Sequence, residues 1–239
     1  MRPEISGTIK QNLVGWGLVE LREVKRYAVH YEQHGEKNVK DEHSRDLKKV
    51  QGGNTRRLMD VTLDPDTAHP GLILSEDRKQ VRRGNIKQDL PDNPERFDTV
   101  HYVLGKEGFS SGRFYYEVQV KGKTGWILGV VRESINRKEK IYLNPEDGCW
   151  TVWLRYDGYK ALSVPLVPLS LREKPQKVGV FVDYEEGRVC FYNVEARSHI
   201  YSFTGYTFTE KLYPYFYPGL NDGGKNSAPL VITPVDVTD

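Results

Sequence analysis

The chain is short of cysteine, of long apolar runs and of net charge, and each shortage removes a class of function. Only Cys149 and Cys190 occur in 239 residues, too few for a disulfide framework or a cysteine-rich zinc site. Each lies in an apolar, strand-like run, so buried reduced thiols are expected. The apolar residues from Leu13 to Leu21 are broken by Gly15, Gly17 and Glu20, far short of the roughly 20 residues that span a bilayer. No signal-peptide pattern opens the chain and no Asn-x-Ser/Thr sequon occurs, which sets the expectation of a cytoplasmic protein without a membrane partner.

Thirty-five basic against 33 acidic residues leave a formal charge of +2, too weak a field to make nucleic acid the expected partner. The imbalance is local. Between Arg22 and Arg57 stand ten Lys or Arg and six Asp or Glu, so that segment carries +4 and the remainder −2. A solvated lead-in is the plain reading of this segment, and a basic arm for acidic surfaces is the sharper one.

Catalytic signatures are equally thin. Gly108-Phe109-Ser110-Ser111-Gly112 matches G-x-S-x-G, but a nucleophile elbow needs a helix after the serine and the residues from Arg113 to Val120 alternate as a strand. His30 and His34 lack the Glu and third ligand of a zinc protease helix. Asp183, Glu185 and Glu186 sit where a hairpin turn would use them as acceptors. No glycine-rich phosphate loop or dinucleotide fingerprint appears. The chain is therefore expected to be non-enzymatic, with no cofactor and no metal.

What the chain does contain is strands. In KVGVFVDYEEGRVCFYN, from Lys177 to Asn193, Val178, Val180 and Val182 share one face while Gly179, Phe181 and Asp183 share the other. The apolar run resumes at Val189 after a polar turn whose Gly187 suits positive φ. The same grammar predicts strands at 72–74, 80–82, 102–103, 112–120, 125–131, 149–155, 159–162, 200–203, 212–217 and 230–232, with no helical pattern between them. Many short strands without crossover helices predict an all-β fold, a two-sheet antiparallel sandwich. Before it, Leu18, Leu21, Val24 and Ala28 fall near helical spacing. A short amphipathic helix over residues 18–29 is expected, with an apolar stripe open to self-association. Residues 30–58 are polar and read as a flexible linker or insertion.

In order and approximate spacing the strands carry signatures that resemble the PRY-SPRY domain of tripartite-motif (TRIM) ubiquitin ligases and butyrophilins. Val61-Thr62-Leu63-Asp64-Pro65-Asp66-Thr67-Ala68 and Leu72-Ile73-Leu74-Ser75-Glu76-Asp77 are similar to the PRY opening. Phe109-Ser110-Ser111-Gly112-Arg113-Phe114-Tyr115-Tyr116-Glu117-Val118 is similar to the start of SPRY, with Tyr116 where the family usually has Trp. Trp126-Ile127-Leu128-Gly129-Val130, Cys149-Trp150-Thr151-Val152-Trp153 and Leu212-Tyr213-Pro214-Tyr215-Phe216 follow. The resemblance implies a SPRY-type, concanavalin-like jelly roll over residues 59–236, with PRY about 59–111 and SPRY about 112–236, after an N-terminal segment of residues 1–58. It also implies protein recognition in an innate-immune setting. Two cysteines cannot build a RING domain, so a ligase role would be that of a targeting portion whose RING lies elsewhere.

A sandwich presents its loops at the sheet ends, and interface energy concentrates in a few Trp, Tyr and Arg anchors. The expected partner-binding residues are Trp153, Arg155, Tyr156, Asp157, Tyr159, Tyr142, Arg82, Arg83, Asn85, Leu220, Asn221 and Asp222. The resemblance implies docking at the positions of Trp153, Arg155 and Leu220, of which only Trp153 keeps the aromatic that antibody capture uses. The competing reading of Trp153 is a core residue at a strand end, while Trp126 and Trp150 are expected in the core. Resemblance to butyrophilins offers an alternative, a phosphorylated small molecule held by the basic segment Arg78 to Arg83.

Overall fold

The structure is a computed structural model that describes residues 43–46 and 59–235. The expected helix over residues 18–29, its self-association and the His30/His34 pair lie outside the described residues.

Among the described residues, thirteen strands form two antiparallel sheets. In chain order they are β1 (Leu72–Leu74), β2 (Gln80–Arg83), β3 (Val103–Leu104), β4 (Arg113–Gln119), β5 (Trp126–Arg132), β6 (Cys149–Arg155) and β7 (Gly158–Ala161). β8 (Val167–Leu169), β9 (Lys177–Asp183), β10 (Arg188–Asn193), β11 (Ser198–Phe203), β12 (Leu212–Tyr217) and β13 (Leu230–Thr233) follow. One sheet has seven strands, ordered β1-β2-β13-β4-β9-β10-β11, and the other six, ordered β3-β12-β5-β6-β7-β8.

Period-two alternation decides which side chains meet between the sheets. From β9 the inward set is Val178, Val180 and Val182, joined by Phe114, Tyr116 and Val118 of β4 and by Trp126, Leu128, Val130, Trp150 and Val152 of β5 and β6. Trp126 and Trp150 are both buried core residues. Tyr116 is a buried phenol, and its hydroxyl donates to the Gly129 carbonyl at 2.7 Å. A polar tip inside the sandwich is tolerated because it is paired. Burial holds this phenol well above its ordinary pKa.

Each sheet also has an outer face with a cover of its own. On the six-stranded sheet Ile127, Val131, Cys149 and Tyr215 lie under Phe97, Tyr102, Ile135 and Leu162, so the segment before β3 and the β5–β6 connection fold back across it. On the seven-stranded sheet Tyr115, Phe181, Cys190 and Tyr192 form a smaller cluster. Residues 43–46, in the stretch that composition reads as linker, are helical and lie against this cluster. Both cysteines are buried and neither forms a disulfide.

The sequence reading misses one strand, β8. Pro165 and Pro168 make residues 164–168 read as loop, but β8 is outermost in its sheet, where the donor lost at Pro168 is tolerated. Ser110 precedes β4, not a helix, so it sits in a turn between strands. At the β9–β10 turn the Glu186 amide donates to Asp183 Oδ1 at 3.3 Å, and Glu185 Oε1 accepts from the Gly112 amide at 2.8 Å. These carboxylates serve backbone donors, as expected for a hairpin.

Candidate functional site

One end of the sandwich gathers the C-terminal ends of β2, β6 and β12 with the residue before β3, and the expected anchors divide there according to strand alternation. Along β6, Val152 and Leu154 turn inward while Trp153 and Arg155 turn outward. Trp153 is half-buried against the outer cluster. The Arg155 guanidinium stands 4.8 Å from its ring centroid and Lys160 Nζ, from β7, stands 5.8 Å away. Two cations over one indole make a prearranged aromatic-cationic anchor. Asp157 pairs with Lys160 at 2.5 Å, and that hydrogen bond holds its carboxyl below the usual range.

Tyr156, at the tip of the β6–β7 turn, is 96% exposed. Tyr159 differs from the rest: it turns to the inner side of β7, half-buried, with its ring 6.1 Å from Trp126. It helps close the end of the core and does not share a face with Trp153. Tyr142 is exposed on the β5–β6 connection, with Lys140 Nζ 5.2 Å from its ring centroid.

The two arginines of β2 separate in the same way. Arg82 alternates away from buried Val81 and is exposed, whereas Arg83 is half-buried at the strand end. Arg83 and Arg155 both act electrostatically on Tyr217, pulling down a phenol pKa that burial raises. Tyr217, whose ring also meets that of Tyr102 edge-on at 5.4 Å, lies within reach of both cations and is absent from the expected anchors. Its signal was present in the sequence, since alternation along 212–217 puts Tyr213, Tyr215 and Tyr217 on one face. His101 adds to the cluster, its ring centroid 3.9 Å from that of His69 with the two planes tilted by 39°. Burial first, then His69, Arg83 and Lys87, push His101 down to about 4, so it is neutral near pH 7.

Two loops complete the rim. Asn221 Nδ2 donates to Asn85 Oδ1 at 3.1 Å, tying the β12–β13 connection to the segment after β2. Leu220 is 56% exposed and Ile86 82% exposed on these tied loops, and Asp222 is exposed at the start of a short 3-10 turn, Asp222–Gly224. Ile86 is a second residue the sequence reading missed, an apolar side chain among polar neighbours in a loop.

Beneath the rim Asn226 is 4% exposed. Its Oδ1 accepts from the amides of Thr124 and Gly125 at 2.8 and 3.2 Å. Its Nδ2 donates to the carbonyls of Gly125, Pro218 and Leu220 at 2.9, 3.1 and 2.8 Å. Lys123, also buried, donates through Nζ to the Ala228 carbonyl at 2.6 Å, and burial pushes its pKa down to about 8. The loop that carries Leu220 and Asn221 is thus fixed from below before any partner arrives.

Nearby, a cleft of about 510 Å³ is lined by Lys87, Asp89, Asp92, Arg96 and Asp98. Its three carboxylates outnumber its two cations, a poor balance for phosphate. No group of three or more His, Cys, Asp or Glu among the described residues could hold a metal ion.

Family models locate the chain's relatives. The SPRY domain model matches residues 113–231 and the SPRY-associated domain model, PRY, matches residues 61–109. The chain belongs to the PRY-SPRY family. Human pyrin is 50% identical over 184 residues, which are 77% of this chain and 24% of pyrin. The bovine E3 ubiquitin-protein ligase TRIM21 is 48% identical over 177 residues, 73% of this chain and 38% of that protein. The chain thus spans between a quarter and two fifths of the length of these relatives. A crystal structure of the TRIM65 PSpry domain superposes with a TM-score of 0.61 at 22% identity, covering 73% of this chain and 90% of that one, and it shows the fold alone. No helix among the described residues is long and apolar enough to cross a membrane.

Proposed function

We propose that this PRY-SPRY domain is a non-enzymatic protein-recognition module that docks its partner on the end of the sandwich built around Trp153, Arg155, Tyr217 and Arg83. The observation that carries the reading is the guanidinium of Arg155 held over the Trp153 ring at 4.8 Å on a rigid strand. Anchors already ordered in the free protein lose little conformational freedom on binding. Trp, Tyr and Arg are the residue types in which interface energy concentrates. Leu220, Ile86, Asn85, Asn221, Asp222 and Tyr156 form the rim, and the excess of cations favours a partner surface that presents carboxylates. Tyr159, Arg82 and Tyr142 contribute less in this reading, since Tyr159 supports the core and Arg82 faces elsewhere.

Two buried thiols outside any disulfide favour a cytoplasmic setting. If the chain is part of a longer TRIM-like protein, the module would be its targeting portion. A second reading is a phosphorylated small molecule held by the basic segment Arg78 to Arg83, whose clustered cations suit phosphate oxygens.

Affinity capture with the wild type beside Trp153→Ala and Tyr217→Ala tests the first reading. A partner that depends on this surface is expected to bind about 30-fold more weakly to each variant, the effect of removing one ~2 kcal/mol anchor. The melting temperatures should stay within a few degrees of wild type. Equal recovery of every partner by all three proteins would move the recognition surface elsewhere. A rise in melting temperature with millimolar pyrophosphate that is lost in Arg83→Ala would favour the small-molecule reading.

A further inference from the structure

The connection between β12 and β13 carries a dipeptide whose chemistry goes beyond docking. Asp-Gly occurs three times in the chain, at Asp147-Gly148, Asp157-Gly158 and Asp222-Gly223. In such a pair the glycine nitrogen can attack the aspartate's own side chain, because glycine puts no Cβ in the way. The reaction needs a carboxyl and an amide that are both free to meet.

Two of the three pairs are held. Asp147 Oδ2 accepts from Asn144 Nδ2 at 2.6 Å, and the Gly148 amide donates to the Pro145 carbonyl at 3.0 Å. Gly148 is packed as well, since a Cβ there would stand 2.2 Å from Cδ of Arg132. Asp157 pairs with Lys160 at 2.5 Å, and Gly158 stands opposite Arg155 as the closing pair of the β6–β7 hairpin. Neither carboxyl can turn toward its amide without breaking a contact.

The third pair differs at each point. Asp222 and Gly223 are exposed. Among the described residues the Asp222 carboxylate has no hydrogen-bond or ion-pair partner and the Gly223 amide has no acceptor. Asp222, Gly223 and Gly224 all have positive φ, at 48°, 61° and 93°. A Cβ on either glycine would meet nothing within 4 Å, so the peptide plane between Asp222 and Gly223 has room to turn. Turning it breaks one hydrogen bond, from the Lys225 amide to the Asp222 carbonyl at 3.1 Å. A left-handed φ also suits aspartate less well than glycine.

We propose that Asp222-Gly223 is a self-modification site, where the loop converts to isoaspartate faster than at the other two Asp-Gly pairs and is loosened by the change. The Gly223 nitrogen bonds to Cγ of the undissociated Asp222 carboxyl, and its proton leaves with the carboxyl hydroxyl as water. The product is a succinimide ring. Water then adds to one of the two ring carbonyls: breaking the Cγ–N bond restores aspartate, and breaking the bond from nitrogen to the former main-chain carbonyl carbon gives isoaspartate. One water is lost and one regained, with no oxidant, reductant or other co-reactant. The chain now runs through Cβ and Cγ, and the old main-chain carbonyl becomes a free carboxylate. Lys225 thereby loses its acceptor. The change falls beside the Asn221 carbonyl, which accepts from the amides of Gly224 and Asn226 at 3.0 and 3.1 Å, so the segment that carries Leu220 and Asn221 is no longer held in one shape.

The experiment incubates the full chain in mildly acidic buffer at body temperature, where a fraction of the carboxyl is undissociated. After digestion the aspartyl and isoaspartyl forms of each peptide are separated and assigned by mass spectrometry. Isoaspartate is expected to accumulate at least about tenfold faster at residue 222 than at 147 or 157, the factor carried by one hydrogen bond to a charged group that must first break. In the urea-unfolded chain the three pairs should react at comparable rates, because the fold alone separates them. Asp222→Glu, whose longer side chain closes the ring far less readily, should show no conversion there. In the purified isoaspartyl protein, hydrogen exchange of the peptide covering residues 220–227 should be faster than in the unmodified chain, with the peptide covering 212–217 unchanged.

Both measurements are independent of any partner, so they stand or fall apart from the recognition reading. Equal rates at the three pairs in the folded protein, or a faster rate at 147 or 157, overturn the site. Unchanged exchange over residues 220–227 in the converted protein overturns the loosening.

Discussion

Asn226→Ala is expected to lower the unfolding free energy by about 3 kcal/mol and the melting temperature by roughly 10 °C. The side chain makes five hydrogen bonds that join the turn before β5 to the β12–β13 connection. Water cannot replace them without opening the site, since the residue is 4% exposed. A net contribution near 1 kcal/mol per bond would give a larger sum. Relaxation of the loop recovers part of it, and two amides and three carbonyls left without partners set the floor. Asn226→Asp is a sharper probe. It keeps the acceptor toward Thr124 and Gly125 but turns a carboxylate oxygen toward three carbonyls, so a loss as large as that of alanine is expected despite the near-identical shape. Thermal and denaturant unfolding of the three proteins measures this. A melting point within 2 °C or so of wild type for both variants would mean that the loop is not held from beneath. Because Leu220 and Asn221 ride on this loop, partner affinity should fall with stability, unlike in Trp153→Ala.

Gly187→Ala is expected to cost more than about 3 kcal/mol and to yield little folded protein at 37 °C. Two penalties coincide there. Gly187 has φ +60°, in the region that side chains disfavour. A Cβ at this position would also stand 1.5 Å from the Tyr206 carbonyl oxygen, an approach that only backbone movement relieves. The displaced residue matters because Tyr206 donates its amide to the Gly187 carbonyl at 3.1 Å and its ring lies 5.7 Å from Trp150 in the core. By contrast, Gly158→Ala in the β6–β7 turn meets open space and carries only the strain of its positive φ, so a cost of about 1 kcal/mol is expected. Parallel expression and chemical denaturation separates the two. Comparable stabilities for the pair would show that close approach adds nothing to backbone strain.

Gly187 also marks how far the sequence could be read. A positive φ at this hairpin corner was legible, because a polar turn between two alternating apolar runs leaves few other conformations. The Tyr206 backbone pressed against it was not, since that contact joins residues nineteen apart through a loop without periodicity. The same division runs through the site. Alternation along β6 separates Trp153 and Arg155 from Val152 and Leu154, and the two-sheet sandwich follows from the resemblance. What local pattern cannot supply is which strand ends converge. Arg83, His101 and Tyr217 come from the end of β2, the segment before β3 and the end of β12, far apart in sequence, so their meeting is not legible locally although β12 alone points Tyr217 outward. Tyr159 is hard to place for a related reason: a tyrosine beside a turn looks exposed until β5 and β7 are known to flank β6, which sets Trp126 beside it on the same inner face. Residues 43–46 were hidden by composition, because His and Asp in a charged stretch signal solvent unless a matching Arg and Tyr wait on a sheet far along the chain.

The proline in β8 has a consequence beyond the missed strand. An outermost strand offers its unpaired amides to any copy that drifts alongside, and that is how sheets polymerise into ribbons. Pro168 leaves a gap in this row of donors, so neighbouring molecules cannot zip together along β8 even when Leu166, 49% exposed, draws them close. The edge of the sheet is thereby kept from templating a ribbon of its own kind.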